Sequence, residues 1–509
     1  MGDRARRRGG AHRDRRLSRA HPVTLGAYCW PSSAGRNEPV GLHVSTDVPR
    51  FDVEVAREGA TPEAVWRTEG VRGTLHEIPP DASSHGCRWP PTLEIPVGDW
   101  RSGYYSVTVT SADERSDAFL VVRPDPADPA PAVQVLSTTT WHAYNDWGGP
   151  SLYTGGTRVS FERPFARGFL VKPEPFGRMM QREPDREAMG FRTWARPLGI
   201  SDWCGGAGWF TYERTFTRWA ESNGFRLDVA VSQDLEEHPE VLDGHRLYLS
   251  VGHDEYWSWG MRDALDAFIT GGGNAAILAG NTCFWQVRFS ADHRGMTCFK
   301  YRADEDPVLG TPDERFLTSC WSDRRVGRAE TSTIGLTFSR GGYSHYGLGA
   351  PETSGGYSVH RPEHWAFEGT GLGARSEFGA TDVIVAYECD GCALEPGPDG
   401  LPTPTHADGA PEGLEILATA PAHLWAQHEQ PTRYATEQGD LETCSMAIYG
   451  DTSPEHLAEI GDGHAVFASF ERPGGGTVVN AGVTDWALGL EDPIVARITR
   501  NVLERLSRS

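Results

Sequence analysis

The chain has 509 residues, with 48 basic against 70 acidic side chains and a formal net charge of −22, a sign that excludes broad contact with nucleic acid or anionic lipid. Hydrophobic residues make up 38%, and no window approaches the roughly 18 consecutive apolar residues a spanning helix needs, so a soluble globular chain of more than one domain is expected.

Taken in chain order, residues 1–21 hold eight Arg and two Asp but no apolar stretch of the kind a secretory signal requires. Residues 1–22 read as a disordered basic tail or an over-extended gene start, with an acid-seeking tail as the functional alternative. Over 23–123 the pattern has period two, in Val40–Thr46, Phe51–Val55, Thr92–Ile95, Tyr105–Val109 and Phe119–Val122. Five short alternating runs divided by turn signals predict an antiparallel β-sandwich. Pro124, Pro126, Pro129 and Pro131 then mark a linker over 124–131, because proline removes the ladder donor and stiffens the chain.

From 132 to 509 the grammar becomes strand–helix–strand. Buried-type strands are predicted at Val133–Leu136, Leu227–Val231, Leu247–Val251, Ala275–Ala279 and Thr477–Ala481. Met261, Leu265, Phe268 and Ile269 form a helical stripe within Trp257–Thr270, which Gly271–Gly273 stops. A βαβ unit of this length implies a largely parallel sheet, with a last amphipathic helix over Pro493–Leu506. The stretch of about 285–415 is rich in Gly, aromatics and turns and reads as an irregular insertion.

Open parallel sheets bind ligands beyond the carboxyl ends of their strands. His253, Asp254 and Glu255 fall there after Leu247–Gly252, either as a site or as a cluster capping the helix that follows. Asn281 falls at the end of the next strand, as a polar contact or as an N-cap. After the first strand of this region comes an aromatic block with Tyr144 and Tyr153, read either as packed loop or as phenol ligands suited to ferric iron. Val383–Tyr387 reads as a strand ending in Glu388, a candidate general base. Lys172 and Lys300 are the only lysines against 46 Arg. Nine scattered cysteines, with one unpaired C-x-x-C at Cys389–Cys392, read as reduced, buried thiols in a cytoplasmic protein. Serine-hydrolase, zincin and P-loop motifs are absent.

Gly252-His-Asp-Glu-Tyr-Trp-Ser, Ala279-Gly-Asn-Thr, His364-Trp-Ala-Phe-Glu-Gly-Thr-Gly-Leu and Tyr387-Glu-Cys-Asp-Gly resemble the C-terminal region of the N,N-dimethylformamidase large (beta) subunit family. The resemblance implies an Ig-like sandwich followed by a class I glutamine-amidotransferase-like, flavodoxin-like α/β domain. It also implies a mononuclear ferric iron held by two tyrosines and a glutamate. Position by position, Glu255 resembles the carboxylate ligand, Tyr144 the first tyrosine and His253 the active-site neighbour. Asn281, Lys300 and Glu388 fall at the family's active-site Asn, Lys and Glu. Where the family has its second tyrosine this chain reads Arg158-Val-Ser-Phe, and Tyr153 is the substitute in space. The glutamine-amidotransferase thiol is missing from the turn at Gly252–Tyr256.

The function these readings imply is hydrolysis of the C–N bond of a small amide. Iron would be the Lewis acid and Glu388 the base, while Asn281, His253 and Lys300 hold the oxyanion and the substrate. Assembly with itself or with a small subunit goes with the family. The other reading is a non-catalytic protein that binds carbohydrate or protein through an aromatic crevice.

Overall fold

The computed structural model describes residues 25–111, 114–179, 185, 188–430 and 439–508, so the basic segment expected over 1–22 lies outside the described residues. Near the N-terminus, Leu25–Trp30, Val40–Thr46 and Leu93–Ile95 form a three-stranded sheet. A second sheet of five strands takes in Arg50–Glu58, Gly103–Ser111 and Glu114–Val122. Phe51, Val53 and Val55 point inward while Asp52 and Glu54 point away, the period of two that a half-buried strand imposes. They meet Leu42 and Val44 of the first sheet in one apolar core.

The proline segment that follows is tied to the next unit. Ala130 N–H donates to Asp228 (2.7 Å) and Arg226 pairs with Asp128 (2.9 Å). Tyr104 stacks on Trp209 with centroids 3.9 Å apart, and Arg57 bridges to Glu221 (2.5 Å), so the two parts are packed together.

The main path of the eleven-stranded central sheet runs through β1 (Ala132–Leu136), β2 (Leu227–Val231), β3 (Leu247–His253), β4 (Asn274–Gly280), β5 (Thr337–Tyr343), β6 (Glu388–Gly391), β7 (Glu415–His423), β8 (Asp462–Glu471) and β9 (Thr477–Asn480), with Tyr357–Val359 and Glu377–Phe378 attached beside β7. Their order is β2-β1-β3-β4-β9-β8-β7-β5-β6. The run from β2 to β9 is parallel, as the sequence predicts, and the run from β9 to β6 is antiparallel. The expectation of a largely parallel sheet therefore holds for only half of it. Only residues 472–476 separate β8 from β9, too short a link for the crossover that a parallel pair needs.

Two further expectations change. The stretch about 285–415 is not wholly irregular, because it supplies β5 and β6 to the central sheet. Val383–Tyr387 is buried but not a strand: Val383 has φ +52° and Glu388 opens β6 instead of closing a strand. An apolar run marks burial, and burial alone does not fix backbone conformation. β6 also folds back across the segment after β9. Thr484 N–H donates to the Glu388 carbonyl (3.2 Å), and Asp390 N–H donates to the Gly482 carbonyl (2.8 Å).

Among the helices, α1 (Thr138–Tyr144) follows β1, α2 (Trp259–Thr270) links β3 to β4, α3 spans Asp440–Tyr449 and α4 spans Pro493–Leu506. α4 starts where proline tolerates the unpaired first turn, with Asp492 accepting from Ile494 N–H (2.7 Å). Among the described residues no helix is long and apolar enough to cross a membrane.

Candidate functional site

Register places the first two groups. His253 pairs with Gly280 across the parallel β3–β4 ladder, so both strands end at the same level and His253 stands beside Asn281. Gly252 has φ +88°, and a Cβ there would lie 2.3 Å from that of Tyr212, which explains glycine just before the site. Asn281 itself is left-handed (φ +49°). Its turn is held by Asp390, whose Oδ2 accepts from Thr282 N–H (3.1 Å).

The capping alternatives do not hold. Ser258 caps α2, its Oγ accepting from Met261 N–H (3.2 Å), while Asp254 is engaged by Ser250 (2.7 Å) and Trp257 (3.0 Å). Asn281 precedes a turn and the strand Trp285–Phe289 and no helix.

His253 Nδ1 lies 2.7 Å from the Gly206 carbonyl, which can only accept, so that nitrogen carries a proton. Nε2 faces Glu388 Oε2 at 2.7 Å and Glu255 Oε2 at 3.4 Å. Burial works against charge on the imidazole, but the Glu388 and Glu255 carboxylates outweigh it and lift the pKa to about 9. Asn281 Nδ2 donates to Glu388 Oε2 (3.1 Å), which leaves its Oδ1 without a partner among the described residues.

On the other side of Glu255 stand two phenols. Tyr153 Oη is 2.7 Å from both Glu255 oxygens and 2.8 Å from Tyr144 Oη. Burial and the Glu255 charge hold both phenols well above their ordinary pKa, and burial raises Glu255 against the pull of His253 and Lys300. The Lys300 ammonium sits 3.3 Å from the Tyr153 ring centroid, in cation–π contact. Tyr144, Tyr153, His253, Glu255, Asn281, Lys300 and Glu388 thus meet in one place, whereas Lys172 lies elsewhere, on the Cys204 carbonyl (2.8 Å).

Tyr144, Tyr153, Glu255, Asn281 and Glu388 line a partly open cavity. Among the described residues no cluster of three or more His, Cys, Asp or Glu has the arrangement of a metal site. The donors gathered here are two phenols and one carboxylate. Sequence reasoning missed Asp440, Tyr343, Tyr346 and Trp425, which form another part of the wall. Asp440 reads in the sequence as an ordinary acidic first turn of a helix, and nothing there signals a cavity.

The beta subunit of N,N-dimethylformamidase from Alcaligenes sp is 26% identical over 219 residues, covering 40% of this chain and 28% of that subunit. The Paracoccus aminophilus beta subunit is 25% identical with the same coverage. The alignments thus take in less than a third of these relatives' length. Among solved structures, the sulfur carrier protein SoxY from Chlorobium limicola f thiosulfatophilum aligns at 12% identity and a TM-score of 0.13, over 20% of this chain and 80% of that one, a likeness that carries no argument. The model of the N,N-dimethylformamidase beta subunit-like, C-terminal family matches residues 48–500, nearly the whole chain, and the chain belongs to that family.

Proposed function

We propose that this chain hydrolyses the C–N bond of a small amide at the Tyr144–Tyr153–Glu255 and His253–Glu388–Asn281 constellation. The observation that carries the reading is the convergence of Tyr153 Oη on both Glu255 oxygens and on Tyr144 Oη, within 2.8 Å. Two phenol protons at most serve four buried oxygens there. Oxygen ligands about 2.0–2.2 Å from a metal stand roughly 2.8–3.1 Å apart at right angles, so the spacing fits a cation in place of those protons. Tyr144, Tyr153 and Glu255 would hold a mononuclear ferric iron, which supplies Lewis acidity to the amide carbonyl.

The remaining groups handle water and protons. Glu388 accepts a proton from the attacking water and passes it to the departing amine. His253, fixed on the Gly206 carbonyl, keeps that carboxylate oriented by sharing a proton with it. Asn281 gives its amide nitrogen to Glu388, so the atom it offers the cavity is an acceptor, which suits a water proton better than an oxyanion. Lys300, over the Tyr153 ring, favours the anionic form of the phenol and of Glu255.

The finer reading of the fold that goes with this function is an Ig-like sandwich over 23–123, joined by the 124–131 linker to a glutamine-amidotransferase-like domain over 132–509. The nine cysteines are free and buried, which supports a cytoplasmic setting. The relatives are named as beta subunits, and we infer assembly of this chain with a second subunit. The test is metal analysis of wild type and Glu255→Ala with turnover on a panel of small amides. One iron per chain, lost together with turnover in the variant, is expected. Ligand binding without iron or turnover in either protein would replace this reading with that of a binding protein.

A further inference from the structure

The cavity wall combines two chemistries and lacks a third. Of the nineteen described residues that line it, eleven are aromatic and four are carboxylates, with no Arg, Lys or His among them. Three of the carboxylates have cations close by: Asp202 pairs with Arg196 (2.7 Å), and Glu388 and Glu255 face His253 (2.7 and 3.4 Å). Asp440 is the fourth. It is buried at the start of α3, and its two oxygens accept from the Tyr301 and Tyr343 hydroxyls (2.9 and 3.0 Å). Among the described residues no ion pair of Asp440 with Arg, Lys or His is seen, while the Lys300 charge favours its carboxylate against the burial that raises its pKa. Two phenol donors stabilise a carboxylate without cancelling its charge, and a buried charge calls for a partner of opposite sign.

The rings around it are of the kind that supply one. Tyr343 stacks on Trp425 with centroids 3.8 Å apart, and Tyr346 stands 5.2 Å from Trp425. Aromatic faces attract ammonium groups, most strongly where water is excluded. This shell already holds one such group, for the Lys300 ammonium lies 3.3 Å from the Tyr153 centroid and 5.2 Å from that of Trp285. An anionic substrate would meet carboxylates with no basic side chain among the described lining residues, and a neutral one would leave Asp440 with no cation against it among the described residues.

Building on the amide-hydrolase reading, we propose that the cavity takes an amide bearing a positively charged alkylammonium group, seated against Asp440 and the Tyr343–Trp425 ring pair. The reacting amide then lies toward Glu255 and Glu388, and the cationic group selects the substrate.

The test is calorimetric titration of the full chain with choline and with 3,3-dimethylbutanol, its uncharged isostere. Choline is expected to bind at least about tenfold more tightly to the wild type, and Asp440→Asn to abolish that preference while leaving the isostere unchanged. Equal affinity of the two probes for wild type overturns the proposal, whether or not the variant folds. So does an undiminished choline preference in a natively folded Asp440→Asn. Neither probe contains an amide, so the readout is independent of turnover. A choline preference with no amide turned over rejects the hydrolase and keeps the cation site, and turnover of neutral amides without a choline preference does the reverse.

Discussion

His253 Nε2 and Glu388 Oε2 stand 2.7 Å apart and share a single proton, because Nδ1 is already committed to the Gly206 carbonyl. The pair is neutral as a unit, which makes it tolerable in a site where both residues are almost fully buried. Glu388→Gln keeps the shape and removes the proton acceptor. Turnover on any amide substrate is expected to fall at least about a hundredfold with KM little changed, measured by steady-state kinetics. Retention of more than a tenth of the activity would take the general-base role from Glu388.

Lys300→Met tests the charge above Tyr153 while keeping an unbranched apolar side chain there. Stability is expected to change by less than about 1.5 kcal/mol, since a buried cation is replaced by a side chain of similar volume. Iron affinity, measured by competition with a chelator, is expected to fall about tenfold. Lost stability with unchanged iron binding would make Lys300 a structural peg only.

Asp390 offers a test of positioning. Removing its carboxylate strands the buried Thr282 N–H, at a cost of about 1–3 kcal/mol, and frees the left-handed Asn281. Asp390→Ala is expected to lower both stability and kcat, whereas Asp390→Asn, which keeps an acceptor oxygen, restores both. Chemical denaturation and kinetics on the two variants separate the outcomes. Equal loss of kcat in the two would mean that an acceptor oxygen at 390 is not enough to hold the turn.

Glu213 sets a pH dependence away from the cavity. Burial raises its carboxyl from 4.5 to about 8, while Trp141 Nε1 donates to it at 2.9 Å. Between those values the unfolded chain releases a proton that the folded chain keeps, so this group removes stability as pH rises from about 4.5 toward 8. Glu213→Gln is expected to match wild type near pH 4 and to exceed it by roughly 1–3 kcal/mol at pH 9. Thermal melts across that range give the comparison, and parallel curves would contradict the assignment.

The sequence carried the half of the site that local pattern controls. The strand–helix–strand unit from Leu247 to Gly280 sets the parallel register, and the register puts His253 and Asn281 side by side without further information. Tyr144 and Tyr153 were visible as an aromatic block after β1, but their meeting at Glu255 depends on the path of a loop, which no periodicity encodes. The conformation before Glu388 is not legible in the pattern, because Ile384 and Val385 are as buried as any strand residue and yet irregular. Asp440 was invisible, since its partners Tyr301 and Tyr343 come from distant segments and its own neighbours look like a helix start. Long-range pairing accounts for each of these gaps.

The doubling-back of β6 across residues 482–484 also ties the site to both halves of the sheet. Tyr144, Tyr153 and Glu255 come from segments on the parallel side of the sheet, whereas Glu388 opens β6 on the antiparallel side. The two groups of residues reach one cavity from opposite runs of the sheet, so the complete constellation exists only where both runs are joined through β9.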